Sequence, residues 1–433
     1  MERKIYQELL EWKNTNIDKP LMVIGARQIG KTYIINEFCK REFEEYIYIN
    51  LLEQADIVKI FKQEINTQEK FNRMKIYLDK DIDLEKTIIF FDEIQECEEI
   101  ISALKYFNES SEPFKIICTG SLLGVKIKRM HSSFPVGKVK MINMYPMDFE
   151  EFLMANNSKP LIEEIKKSYK TNEPLDLILH KKTLDLYRLY LCVGGMPEAV
   201  KNLLSNNKDI LKFDSDIITD IYKSYLNDMN KYVSNKFEAT KIAAIYKSIP
   251  SQLGNISNKF QYGKINSNAR KRDYESSLNW LLSSTMVLKC PVLKKTEIPP
   301  LGFIVDDNFK LYLSDVGILL NMLEIKYKDI ILDNLLLYKG IIAKNYVATH
   351  LVASKHSLMY WKSENEAEID FLIYNDDGII PIEVKANENV GSKSLKLYMK
   401  RYKPKYSIRI SSKNFGFENN IKSVPLYATF CIK

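Results

Sequence analysis

No stretch of this 433-residue sequence approaches the roughly 18 consecutive apolar residues that span a membrane. The opening segment, MERKIYQELLEWKN, is charged and amphipathic and lacks the apolar core of a signal peptide. Cysteine is sparse. Cys39, Cys97, Cys118, Cys192, Cys290 and Cys431 are scattered, with no C-x-x-C pair. That speaks against a zinc or disulfide framework and for reduced thiols. A soluble, cytoplasmic protein without a membrane partner is therefore expected. A strong excess of one charge is also missing. The net charge of +7 permits contact with nucleic acid or acidic partners without arguing for either. What remains is ordinary globular composition, 45% hydrophobic and 27% charged, in a chain too long for one core. About two to four domains are expected.

The most informative stretch is LMVIGARQIGKT. Apolar Leu21 to Ile24 run into Gly25, Ala26, Arg27, Gln28, Ile29, Gly30, Lys31 and Thr32, and a helical stretch from Lys31 to about Lys40, with Tyr33 in its first turn, follows. This is the full G-x-x-x-x-G-K-[ST] pattern with a strand before it and a helix after it. A triphosphate needs several N–H donors aimed at one place, which a glycine-bearing loop on a helix N-terminus supplies. Lys31 would reach the β- and γ-phosphates of ATP, and Thr32 would ligate Mg²⁺.

About 60 residues on, four apolar residues end in Asp92 and Glu93. Asp92 would hold the Mg²⁺ through water, and Glu93 would polarise the attacking water. A glutamate beside the aspartate points to hydrolysis rather than nucleotide holding alone. The strand candidate Lys115 to Thr119 is followed by Gly120 and Ser121. Thr119 or Ser121 would sense the γ-phosphate. Either is equally readable as a helix cap. Further strands are expected at Tyr46 to Asn50 and Lys138 to Met144, giving an α/β fold with a parallel sheet and ligand at the strand carboxyl ends.

GARQIGKT, FFDEIQE, CTGS and SFPVGKVKMINMYPMDFEEFL together resemble a prokaryotic family of AAA-type ATPases, in which an AAA core precedes a region of unknown function. The resemblance covers nearly the whole chain. It implies an ATP/ADP-binding hydrolase and allows a homo-oligomer or an unidentified protein partner. The family commonly has arginine after its PVG segment, where this chain has Lys138. Lysine cannot give the planar contact of arginine. A trans-acting arginine at that position is thus in question, with Arg129 a weaker substitute.

The domains expected are an ATPase core over 1–155, a helical lid over 156–215, a winged-helix-like domain over 216–305 and a nuclease-like domain over 306–433. In the lid, Gly194-Gly195-Met196-Pro197 resembles the lid motif of related signalling ATPases, by which Gly195 and Pro197 would close over the adenine. Read plainly, it is a loop and a helix start with proline at its first position. In residues 259–272, Lys259, Lys264, Arg270, Lys271 and Arg272 either contact DNA or RNA phosphates or form a solvated face.

Near the end, Asp370, a turn at 375–378, then Glu383 and Lys385 form D…E-x-K on two strands. That resembles the PD-(D/E)XK nuclease core. Asp370 and Glu383 would bind Mg²⁺, Lys385 would orient the water, and Ser394 falls where a further polar residue is often kept. The family usually carries a glutamate upstream, where this chain has Lys344, which would either repel a cation or fill the metal's place as a salt-bridge partner of Asp370 and Glu383. Read plainly, Glu383 and Lys385 form a cross-strand salt bridge. Three readings follow: an ATPase whose nucleotide state controls its lid and C-terminal domain, a nucleic-acid-processing nuclease gated by ATP, and a nucleotide-dependent binding module with negligible turnover.

Overall fold

The computed structural model describes residues 1–433 except 16–17, 80–81, 84, 110–114, 130–133, 136, 232, 234–235, 256–257, 335–337, 364–366 and 387–392, and without the side chains of 108–109 and 128–129. Ser133 and Val136 of the SFPVG segment and the Arg129 side chain, all singled out in the sequence, lie outside the described part. The chain forms two compact units. One comprises 2–145 with 283–285, the other 146–282 with 286–433 and Met1.

The first unit is built on a five-stranded parallel sheet of β1 (Leu21–Ile24), β2 (Glu45–Asn50), β3 (Thr87–Asp92), β4 (Lys115–Gly120) and β5 (Lys140–Asn143), in the order β2-β3-β4-β1-β5. Strands β1 and β3 are buried at every position. That is why LMVI and TIIFF read as unbroken apolar runs: a central parallel strand is covered on both faces. The connections between strands carry helices, including Lys31–Glu42 after β1 and Glu98–Glu109 after β3. Phe61, Phe71, Ile100 and Leu104 pack with Ile89 and Phe91 into one core. The order places β4 between β1 and β3, so the carboxyl ends of three strands converge on one edge.

The second unit holds an eight-stranded mixed sheet. It contains β6 (Val287–Leu293), β7 (Ile304–Leu313), β8 (Met359–Lys362), β9 (Glu368–Asn375), β10 (Gly378–Val384), β11 (Ser407–Ser411), β12 (Gly416–Glu418) and β13 (Ile421–Pro425). Their order is β12-β13-β11-β10-β9-β8-β6-β7. Helices Asp216–Lys231, Lys236–Leu253 and Lys271–Ser283 precede the antiparallel pair β6 and β7. The division expected between 305 and 306 falls inside β7, because the hairpin after these helices continues the sheet of the last third through β8.

Among the described residues no helix is long and apolar enough to cross a membrane. All six cysteines are buried free thiols.

Candidate functional site

The loop between β1 and the Lys31–Glu42 helix is shaped by two glycines for different reasons. Gly30 has φ 89°, the left-handed region that glycine enters without steric penalty. Gly25 is a matter of space. A Cβ there would collide with the Met144 carbonyl oxygen and come within 2.5 Å of Ile29 Cδ1. Gln28 also has positive φ, 62°. Lys31 is buried and curls back into the loop, its ammonium 2.7 Å from the Ala26 carbonyl and 3.0 Å from that of Gly25. Tyr33 is exposed on the first turn of the helix.

Asp92 is the hub. It ends β3, is buried, and receives hydroxyls from three elements. Thr32 Oγ1 donates to its Oδ2 at 2.8 Å and Tyr48 OH to the same oxygen at 3.1 Å. Thr119, at the end of β4, donates to Oδ1. The Glu93 N–H also reaches Oδ1, at 3.1 Å. These partners are hydroxyls and one amide, none of them a cation. A buried carboxylate among neutral donors, beside a P-loop threonine, is a hard-oxygen set that fits Mg²⁺ shared with a phosphate.

Glu93 follows with φ 54°, a positive value that is uncommon away from glycine and clusters at functional sites. Gln95 Nε2 donates to Glu93 Oε2 at 2.5 Å, and Ser121 Oγ lies 3.4 Å from Glu93 Oε1. The structure thus brings Lys31, Thr32, Asp92, Glu93, Thr119 and Ser121 to one sheet edge. It separates the two sensor candidates by partner, Thr119 on Asp92 and Ser121 on Glu93.

Three residues of this site were not legible in the sequence. Tyr48 sits on β2 in register with Phe90, and its hydroxyl reaches Asp92. Burial and the Asp92 charge push its phenol well above the usual tyrosine value. Gln95 lies in the 3₁₀ turn after Glu93 with its Oε1 buried and without a hydrogen-bond partner. The one signal was its place two residues after Glu93. Arg3 carried no signal at all. Its guanidinium donates to the Ile29 carbonyl and the Tyr145 carbonyl, both at 2.7 Å, and so ties the loop to the chain after β5.

Gly195 and Pro197 lie in the second unit. Helix Leu177–Val193 ends at Gly194, φ 70°, and Pro197 starts the next helix, Pro197–Ser205. A Cβ on Gly195 would collide with the Met147 carbonyl, and one on Gly194 with Asp315. The Gly195 N–H donates to Asp315 Oδ2 at 2.7 Å. The glycine pair therefore has a packing reason within its own unit. Of the basic cluster, Lys271 pairs with Asp307 at 2.6 Å and with Glu275 at 3.6 Å, and Arg272 with Asp273 at 3.7 Å.

In the last third, Asp370 on β9 and Glu383 on β10 are both buried. Lys344, from helix Lys339–Ala353, lies 2.6 Å from Asp370, and Lys385 lies 2.8 Å from Glu383. Among the described residues no group of three or more His, Cys, Asp or Glu converges to hold a metal ion. Asp370 and Glu383 thus do not fit the Mg²⁺ site expected of them, because an ammonium already stands against each.

Residues 18–153 match a family model described as an AAA domain. Residues 184–329 match a domain of unknown function, DUF8612, and residues 339–429 another, DUF4143. An uncharacterized protein of Methanocaldococcus jannaschii is 24% identical over 406 residues, spanning 89% of this chain and 79% of that protein. Among solved structures, a Walker-type ATPase of Pyrococcus abyssi matches 75% of this chain and 96% of its own, at 14% identity and a TM-score of 0.45. The Aeropyrum pernix ORC2 protein, in ADPNP and ADP complexes, matches 76% of this chain and 92% of its own, at 11% identity and a TM-score of 0.36.

Proposed function

With residues 18–153 an AAA-type P-loop domain, we propose that the chain binds ATP with Mg²⁺ and hydrolyses it, and that its nucleotide state controls the second unit. The observation that carries this reading is the 2.8 Å contact of Thr32 with Asp92, which joins the phosphate loop to the end of β3. Mg²⁺, when bound, would neutralise the phosphate charge next to these two side chains.

The chain's own residues do the rest. The backbone N–H groups of 25–32 bind the phosphates. Lys31 leaves the Gly25 and Ala26 carbonyls for the β- and γ-phosphates, a short swing of a flexible side chain. Glu93 takes the proton of the attacking water as its oxygen bonds to the γ-phosphorus and the bond to the ADP oxygen breaks. Gln95 and Ser121 orient that carboxylate. Thr119 ties the end of β4 to Asp92. Tyr33 is the proposed neighbour of the base.

The test is phosphate release by wild type, Lys31→Ala and Glu93→Gln, each with and without DNA or RNA. Wild type should turn over. Lys31→Ala should lose nucleotide affinity. Glu93→Gln should bind ATP yet hydrolyse it roughly 100-fold or more slowly, the range a general base supplies. Turnover by Glu93→Gln equal to wild type would remove the assigned base. Stimulation by DNA or RNA would make nucleic acid the partner.

A further inference from the structure

Three carboxylates on adjacent strands of the second unit, Glu368 and Asp370 on β9 and Glu383 on β10, each meet one ammonium. Lys310 on β7 pairs with Glu368. Lys344 Nζ stands 2.6 Å from Asp370 Oδ1. Lys385 Nζ stands 2.8 Å from Glu383 Oε1. The groups are well removed from water: Lys310 is 0% exposed, Glu383 4% and Asp370 6%. Asp370 has both oxygens engaged, since the Val384 N–H donates to Oδ2 at 2.8 Å.

A divalent cation is drawn to buried carboxylates that lack a positive partner, and it needs their oxygens at about 2.0–2.6 Å. Here the positive charge comes from the chain itself, one lysine for each carboxylate. A cation approaching Asp370 Oδ1 would meet an ammonium already in contact with that oxygen. Removing one member of a buried pair leaves an uncompensated charge, which is why such pairs resist opening.

We propose that the Lys344 ammonium is a built-in replacement for a divalent cation, so that this part of the second unit is a metal-independent ion-paired cluster and not a metal-dependent hydrolytic centre.

The titration of the pair agrees with this. Asp370 raises the Lys344 ammonium above its usual value. Burial pushes Asp370 up, but Lys344 and Lys310 outweigh it and hold the carboxyl below its usual range. The proposal stands apart from the ATPase reading, because none of these residues belongs to the P-loop unit.

The experiment uses the full chain without nucleotide, so that no phosphate helps the P-loop retain a cation. Mn²⁺ stoichiometry is read by electron paramagnetic resonance and thermal stability by circular dichroism. Wild type and Asp370→Asn should bind the same amount of Mn²⁺. Lys344→Ala should melt lower than wild type in EDTA, regain several degrees in millimolar Mn²⁺ and bind one more Mn²⁺ per chain. The double variant Lys344→Ala/Asp370→Asn should lose that response. Where Lys344→Ala does not fold, Lys344→Gln keeps the side-chain length without the charge and should behave the same way. Wild-type Mn²⁺ binding that Asp370→Asn abolishes would overturn the proposal. So would a folded Lys344 variant whose stability ignores Mn²⁺.

Discussion

Thr32 Oγ1 donates to Asp92 Oδ2 across 2.8 Å, although Thr32 opens the helix after β1 and Asp92 ends β3, two strands that are not neighbours. Strand β4 runs between β1 and β3 and delivers Thr119 to the other oxygen of the same carboxylate. One aspartate therefore joins three elements at once: the helix after β1 through Thr32, β4 through Thr119, and β2 through Tyr48.

Replacing Thr32 should separate the hydroxyl from the rest of the residue. Thr32→Ser keeps an oxygen that can face Asp92 and Mg²⁺, and should retain most of the turnover. Thr32→Val keeps the shape and loses the oxygen. A hydrogen bond to a charged group contributes about 1.5–3 kcal/mol, so roughly a tenfold to hundredfold loss of kcat/KM is expected for the valine variant. The measurement is ATPase rate against Mg²⁺ concentration. Equal rates for the serine and valine variants at every Mg²⁺ level would remove Thr32 from the metal.

Arg3 should matter to the phosphate loop without touching a phosphate. Its two nitrogens hold the carbonyls of Ile29 and Tyr145, each at 2.7 Å. A single lysine ammonium is a point charge and cannot reproduce that planar fork. Both Arg3→Ala and Arg3→Lys should lower the melting temperature of the first unit, the alanine by more. Both should weaken ADP affinity, read by titration calorimetry. ADP affinity unchanged in Arg3→Ala would show that the loop holds its shape unaided.

How far the sequence foretold this depends on distance along the chain. The phosphate loop, β1 and β3 were legible because contiguous apolar runs and a fixed glycine spacing encode them locally. Strand β5 came out shorter than expected, at Lys140–Asn143. Arg3 and Tyr48 were not legible, since their partners are set by tertiary placement and neither has a spacing rule. The Gly194-Gly195 pair was legible as a lid motif or as a loop before a helix start, but not for its packing reason. That reason is the Met147 carbonyl, which leaves no room for a Cβ on Gly195, and Asp315, which leaves none on Gly194. Lys344 was visible as a lysine in place of an expected glutamate, and of the two roles that this left open, repelling a cation or pairing with Asp370 and Glu383, the structure shows the pairing with Asp370.

Gln95 should act on rate and not on affinity. Its Nε2 holds Glu93 at 2.5 Å, while its own Oε1 is buried without a partner. An orphaned buried acceptor is destabilising by about 1–3 kcal/mol. Gln95→Met removes the held contact and the orphan together, so its melting temperature should match or exceed that of wild type. Glu93, freed of its donor, should sample more orientations, and kcat should fall roughly tenfold, within the range attributed to positioning. KM for ATP should change little. A Gln95→Met enzyme with wild-type kcat would show that Ser121 alone orients the base.

Asp315 should make the second unit more stable in mild acid than at neutrality. The carboxylate is fully buried and accepts N–H donors from Gly195 at 2.7 Å and Ile318 at 3.0 Å. Burial raises its pKa from 3.8 to about 6, against the lowering effect of those donors. Between these two values the folded chain holds a proton that the unfolded chain has released. The stabilisation is thus fully present below pH 3.8 and is lost as pH rises through about 6. The shift corresponds to about 3 kcal/mol between the two limits. Asp315→Asn carries no titrating group, so the stability of wild type relative to this variant should grow as pH falls from 7 to 4. Urea unfolding midpoints across that range measure the difference. A constant difference from pH 7 to 4 would mean that Asp315 stays ionised in the folded chain, with its backbone donors outweighing its burial.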